Sequence, residues 1–207
     1  MVGNSGVLVR KAAILPVDNI NTDVILPADF MITTSRWGLS RGLFHNWRSE
    51  SNEKDFILNR EEFGDVSSLV VGKNFGCGSS REHAVWALLE SGIDTIFAPS
   101  FNETFANNAV KNGLAAIQFS ETDINQISGM SFFEKPLTVE VDLLAGTACF
   151  QRVMIYKFIL SPQQIETLVH GLNDISIASE CFSAVKAHFR KTDSLRPWIT
   201  RVSNVTL

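Results

Sequence analysis

Three short apolar runs, Ser68–Gly72, Ile93–Ala98 and Leu114–Phe119, recur with one helix-length segment between each pair. This alternation narrows the possible folds more than any other feature of the chain. A brief apolar run bounded by turn residues suits a strand buried on both faces. Strands separated by helices run parallel, joined by right-handed crossovers. Ser80–Glu90 supplies the first helix and holds the longest apolar run, Ala84–Leu89, which needs cover on most sides. In the second helix Phe101, Phe105 and Ala109 mark one face. Ser100 is placed as its N-cap, Glu103 completes a capping box, and Gly113 ends it. The chain is therefore read as α/β, with a β-α-β-α-β parallel core over about residues 67–119.

The flanks are read more coarsely. Val7–Leu15 and Val24–Leu26 look like strands, and Ser120–Gly129 like a short capped helix. Leu137–Asp142 and Thr147–Lys157 read as the two strands of a hairpin around Ala145-Gly146. Ser161-Pro162 opens a helix that closes near Gly171, and Ala178, Cys181, Phe182, Val185 and Phe189 give one more amphipathic helix. Between Asp29 and Asn52 lies an aperiodic stretch rich in Ser, Arg, Gly and Trp, too long for an idle connector. Residues 1–207 form one domain on this reading, with a C-terminal extension from about residue 158.

Charge and cysteine usage exclude several functions. The net charge of −4 argues against nucleic acid as a partner, although the last 24 residues carry +4 through Lys186, Arg190, Lys191, Arg196 and Arg201. A solvated helix face is the simpler account of that tail. Cys77, Cys149 and Cys181 follow no metal-ligand or disulfide spacing, and the four histidines are equally scattered. Any metal the chemistry uses is expected on another chain. No apolar run approaches the roughly 18 residues that cross a bilayer. Arg10-Lys11 and Pro16 interrupt the N-terminal apolar patches, so no signal peptide is read and a cytoplasmic location is expected.

The segment Lys73-Asn-Phe-Gly-Cys-Gly-Ser-Ser-Arg-Glu-His83 falls between a strand and a helix, where α/β proteins bind their ligands. A helix start offers free N–H groups to an anion, and Gly76 and Gly78 let the backbone turn sharply. Three readings compete. Ser79-x-x-Glu82 forms a capping box. Gly76-Cys77-Gly78 begins a dinucleotide fingerprint, but Arg81 occupies the place of its third glycine. The third reading is an anion cradle, in which Ser79, Ser80 and Arg81 converge on a carboxylate suited to the guanidinium fork.

The run Asn74–His83 resembles the swivelling domain of the aconitase superfamily, in the form of the small subunit of 3-isopropylmalate dehydratases (isopropylmalate isomerases). Further matches follow in order: Asp18-Asn-Ile-Asn-Thr-Asp23, Ile25-Leu-Pro27, Gly42-Leu-Phe-His-Asn-Trp-Arg48, Ala98-Pro-Ser-Phe101, Asn112-Gly-Leu114, Gly171-Leu-Asn-Asp-Ile175 and Arg196-Pro-Trp198. Together they span most of the chain. The resemblance implies a β/β/α swivelling domain that caps a large subunit in a heterodimer. That partner carries a [4Fe–4S] cluster on its own cysteines, so neither a cofactor on this chain nor a ligand role for Cys77 is implied.

The implied reaction is hydro-lyase chemistry, interconverting 2- and 3-isopropylmalate by dehydration and rehydration in leucine biosynthesis. Ser79 resembles the catalytic base, Ser80 and Arg81 the groups that hold a substrate carboxylate, and Asp23 an acid that pairs with a histidine of the large subunit. Pro27–Thr34 resembles a specificity loop, with Ile32 beside the substrate's variable group and Arg36 near enough to reach a carboxylate. Gln163-Gln164 and Asn173-Asp174 depart from the family's usual residues. Rival readings are the same chemistry on homoaconitate or a methylmalate, and a non-catalytic partner module in which Ser79 only caps a helix.

Overall fold

The strands Ser68–Val71 (β2) and Thr95–Ala98 (β3) are buried along their whole length, as the continuous apolar runs demand. In the computed structural model, which describes residues 6–31, 37–50, 56–79, 81–130 and 135–171, they lie within a seven-stranded mixed sheet. Its order is β4-β3-β2-β1-β5-β6-β7, with β1 at Val7–Leu15, β4 at Ala115–Gln118, β5 at Leu137–Asp142, β6 at Thr147–Phe150 and β7 at Met154–Lys157. Strands β1 to β4 are parallel, and β1, β5, β6 and β7 pair antiparallel. The expected parallel core is present, and β1 extends it by pairing Ala12 with Ser68 and Leu15 with Val71.

Alternation along the central strands feeds two cores. Ala13, Leu15, Leu69, Val71, Ile96 and Ala98 enter one, against α3 (Glu82–Glu90) and α4 (Glu103–Lys111). Ala12, Ile14, Val70 and Phe97 enter the other, against α5 (Glu121–Gly129) and α6 (Pro162–His170). Helices α5 and α6 begin with capping boxes at Ser120 and Ser161, and α6 ends on left-handed Gly171. The helix read over Ala178–Phe189 lies outside the described residues.

Four local readings need correction. Val24–Leu26 is not a strand: Thr22–Ile25 forms one helical turn, α1, because the Asn21 side chain accepts from the Val24 N–H at 2.7 Å and the turn buries Ile25 and Leu26 completely. Helix α4 is capped by Asn102, which accepts from Thr104 and Phe105 N–H, whereas Ser100 accepts instead from the Asn74 N–H. Phe101 therefore precedes α4 and pairs with Phe75. The long second hairpin strand is two strands, β6 and β7, reversed at Gln151 and Arg152, both with positive φ. The stretch after Asp29 contains short 3-10 turns and α2 (His45–Glu50).

Candidate functional site

The carboxyl ends of β1, β2 and β3 are adjacent in the sheet, and the segments leaving them are laced together. Asn19 N–H donates to the Lys73 carbonyl at 2.8 Å, Gly76 N–H to Ile20 at 2.8 Å and Thr22 N–H to Cys77 at 2.9 Å. On the other side Phe75 N–H donates to Ser100 and Asn102 N–H to Phe75. The loop after β2 thus becomes a short extra strand between two neighbours, with parallel bridges Asn21–Cys77 and Phe75–Phe101.

Backbone freedom is required at Gly76. Its φ is +73°, and a Cβ there would lie 2.2 Å from the Phe105 ring, which is buried against Phe75 with part-buried Phe101 alongside. Gly78, at φ +91°, needs glycine for its conformation only, since a Cβ would find no atom nearer than 3.5 Å.

Ser79 follows and is exposed. It does not cap α3. The N-cap is Arg81, which makes no side-chain capping bond. Glu82, the other half of the expected box, instead accepts from Asn112 Nδ2 at 2.7 Å, and Asn112 also accepts from Trp86 Nε1 at 3.0 Å. The Ser79 carbonyl accepts from Thr22 Oγ1 at 2.8 Å. Among the described residues, its hydroxyl has no hydrogen-bond partner.

The Arg81 guanidinium turns towards α1. Its Nη1 lies 3.2 Å from Asp23 Oδ1 and 3.2 Å from Met31 Sδ. Among the described residues Nη1 alone of the three guanidinium nitrogens is engaged, so Nε and Nη2 present an edge of the kind that binds carboxylates in pairs. Asp23 and Arg81 are both part-exposed, and the second Asp23 oxygen faces no described cation.

The structure therefore brings Asp23, Ser79 and Arg81 to one edge of the sheet. Ser80, Ile32 and Arg36 lie outside the described residues. Two neighbours of Ile32 divide the expected apolar loop between different tasks. Phe30 anchors it to the core, 4.8 Å from the His45 ring and over Gly42, while Met31 reaches Arg81. Sequence reasoning assigned no role to Thr22. Its signal, a threonine inside Asn-Thr-Asp, had no local meaning because both its loop partners lie far along the chain. Glu90 was missed too: its carboxylate accepts from Gly38 N–H at 2.6 Å and Ser40 N–H at 2.8 Å, and the Gly38 bond most of all holds its pKa below the usual value.

Among the described residues no group of three or more His, Cys, Asp and Glu could hold a metal ion. The two described cysteines, Cys77 in the loop and Cys149 on β6, belong to different parts of the sheet. These residues do not fit an iron–sulfur cluster. No described helix is long and apolar enough to cross a membrane.

Comparison with known proteins bears on this geometry. The family model described as the aconitase C-terminal domain matches residues 8–122, which include all but the first residue of β1, the whole of β2 to β4 and both loops of the site. The 3-isopropylmalate dehydratase small subunit of Roseiflexus sp. (strain RS-1) is 37% identical over 185 residues, covering 88% of this chain and 91% of that protein. The small subunit of Dinoroseobacter shibae is 38% identical over 191 residues, covering 91% and 95%. In structure, the chain is similar to the 3-isopropylmalate dehydratase of Methanocaldococcus jannaschii, with a TM-score of 0.63 and 25% identity over 87% of this chain and 99% of that one. With the aconitase-type domain matched over more than half its length and such relatives aligned nearly end to end, the chain belongs to the 3-isopropylmalate dehydratase small-subunit family.

Proposed function

We propose that the chain is the small subunit of an isopropylmalate isomerase, a hydro-lyase that interconverts 2- and 3-isopropylmalate in leucine biosynthesis, with its active site completed by a large subunit. The names of its relatives support the reaction. The observation that carries the site assignment is the freedom of Ser79: exposed, beside Arg81 and relieved of any capping duty.

In this reading Ser79 Oγ takes the proton from the substrate carbon while the adjacent carbon loses hydroxide, leaving a C=C bond. Delivering that proton from Ser79 Oγ to the carbon that lost hydroxide, and hydroxide to the carbon that lost the proton, completes the isomerisation. Arg81 holds a substrate carboxylate through Nε and Nη2, with Ser80 beside it, and Asp23 keeps Nη1 in place. Ile32, one residue beyond Met31, meets the isopropyl group, where an apolar side chain leaves an extra carboxylate unpaired. Arg36 is assigned to the same loop as a second cation for substrate.

Ionising a serine is costly, since each pKa unit is about 1.4 kcal/mol. A helix N-terminus returns only ~0.3–2 kcal/mol. Arg81 and a site sealed from water must supply the rest. The chain alone is therefore inert, and the [4Fe–4S] cluster belongs to the large subunit in this proposal.

The test is Ser79→Ala in the complex reconstituted with a large subunit. Isopropylmalate turnover is expected to vanish while assembly persists. Near-normal turnover would overturn the assignment and leave the chain a non-catalytic partner.

A further inference from the structure

We propose that Thr22 is a positioning residue that sets the main chain of Ser79 for proton transfer. The proposal rests on the reading of Ser79 as the reacting hydroxyl. Thr22 is 1% exposed, one of only three buried polar residues among those described. Its N–H donates to the Cys77 carbonyl at 2.9 Å and its Oγ1 to the Ser79 carbonyl at 2.8 Å. The two acceptors flank Gly78, whose φ is +91° and whose missing Cβ would sit 3.6 Å from Thr22 Oγ1.

One threonine thus clasps both sides of a turn that has little else to define it. Gly78 offers many backbone states, and Ser79 is exposed with an unengaged hydroxyl among the described residues. The anchor itself is rigid. α1 is capped by Asn21, its last turn is closed by Leu26 N–H to the Thr22 carbonyl, and it is rooted by fully buried Ile25 and Leu26. The next residue, Asp23, forms an ion pair with Arg81. Two consecutive residues on one turn therefore grip the two groups assigned to substrate, fixing their separation.

Proton abstraction depends steeply on such placement, and a displacement of about 1 Å costs on the order of a hundredfold in rate. Losing the Thr22 hydroxyl frees the Ser79 carbonyl, so the effect belongs in kcat. Carboxylate binding through Arg81, held by Asp23, is untouched, so KM stays put.

The experiment compares Thr22→Val, Thr22→Ser and Ser79→Ala in the complex reconstituted with the large subunit, with rates expressed per assembled complex. Thr22→Val is expected to lower kcat about 10- to 100-fold with KM within about twofold, and Thr22→Ser to restore kcat. A valine complex that melts earlier yet keeps wild-type kcat would make Thr22 structural only and overturn the proposal. So would a serine variant as slow as the valine one. If the valine variant fails to assemble, the serine variant decides: wild-type kcat supports the hydroxyl's role, and a drop beyond about tenfold overturns it. Turnover in Ser79→Ala would remove the reading of Ser79 itself. An inactive Ser79→Ala beside a fully active Thr22→Val would remove only the role of Thr22.

Discussion

Arg81 Nη1 lies 3.2 Å from Asp23 Oδ1, joining the loop after β2 to the helical turn after β1. The side chains are 34% and 52% exposed, so solvent screens the pair and its worth to stability is at most ~1 kcal/mol. Its consequence is positional: one corner of the guanidinium is pinned and the opposite edge is presented.

Asp23→Asn is accordingly expected to leave the melting curve almost unchanged while weakening substrate capture. A charge-assisted bond from Arg81 to the substrate is worth roughly 1.5–3 kcal/mol, and losing one through a misplaced guanidinium corresponds to about a 10- to 100-fold loss in kcat/KM. Steady-state kinetics beside thermal denaturation will separate the two effects. A variant that is destabilised yet kinetically normal would show the ion pair to be structural.

Ser79 and Asn102 make a contrasting pair for stability. Asn102 caps α4 through two N–H groups, so Asn102→Ala is expected to cost about 1–2 kcal/mol. Ser79 caps nothing, and Ser79→Ala should stay within ~0.5 kcal/mol of wild type. Urea denaturation of both variants checks the assignment; equal losses would restore the capping box at α3.

The two loop glycines are expected to differ. At Gly76 an alanine meets both positive φ and the Phe105 ring, and about 2–4 kcal/mol should be lost. At Gly78 the space is open, so the cost is the backbone strain alone, about 1 kcal/mol. Denaturant midpoints for Gly76→Ala and Gly78→Ala measure the difference.

Glu90 makes the root of the segment before Ser40 sensitive to pH. Its folded pKa is depressed, chiefly by the Gly38 N–H, from an ordinary value of 4.5. The stabilisation is therefore fully present above pH 4.5 and fades as pH falls through the lower folded value. Hydrogen exchange at the Gly38 and Ser40 amides should lose protection in that acid range, and Glu90→Gln should abolish the dependence. Unchanged acid sensitivity in that variant would assign it to another group.

Much of the architecture was legible because the signals were local. Buried parallel strands need unbroken apolar runs, and Ser68–Gly72, Ile93–Ala98 and Leu114–Phe119 show them. Ser120, Ser161-Pro162 and Gly171 announce helix ends through bonds to residues three or four positions away. The turn at Gln151-Arg152 carried no such mark, since neither residue is a usual choice for positive φ, and one strand was read where two exist.

At the site, the sequence by itself settled which residues were available, and the tertiary structure decided whom they bind. Val24-Ile25 is β-branched and reads as strand, yet the Asn21 cap and the burial of Ile25 and Leu26 make it helix. Ser79-x-x-Glu82 satisfies the pattern of a capping box. Asn112 nevertheless takes the Glu82 carboxylate, and Thr22 takes the Ser79 carbonyl. A donor and an acceptor near in sequence bond only if no better-placed partner reaches them first. Here β1 pairing alongside β2 brings α1 against the loop, and β3 beyond them carries α4 to the start of α3. Those contacts arise from packing on one face of the sheet between segments far apart in the chain, which no short window of residues records.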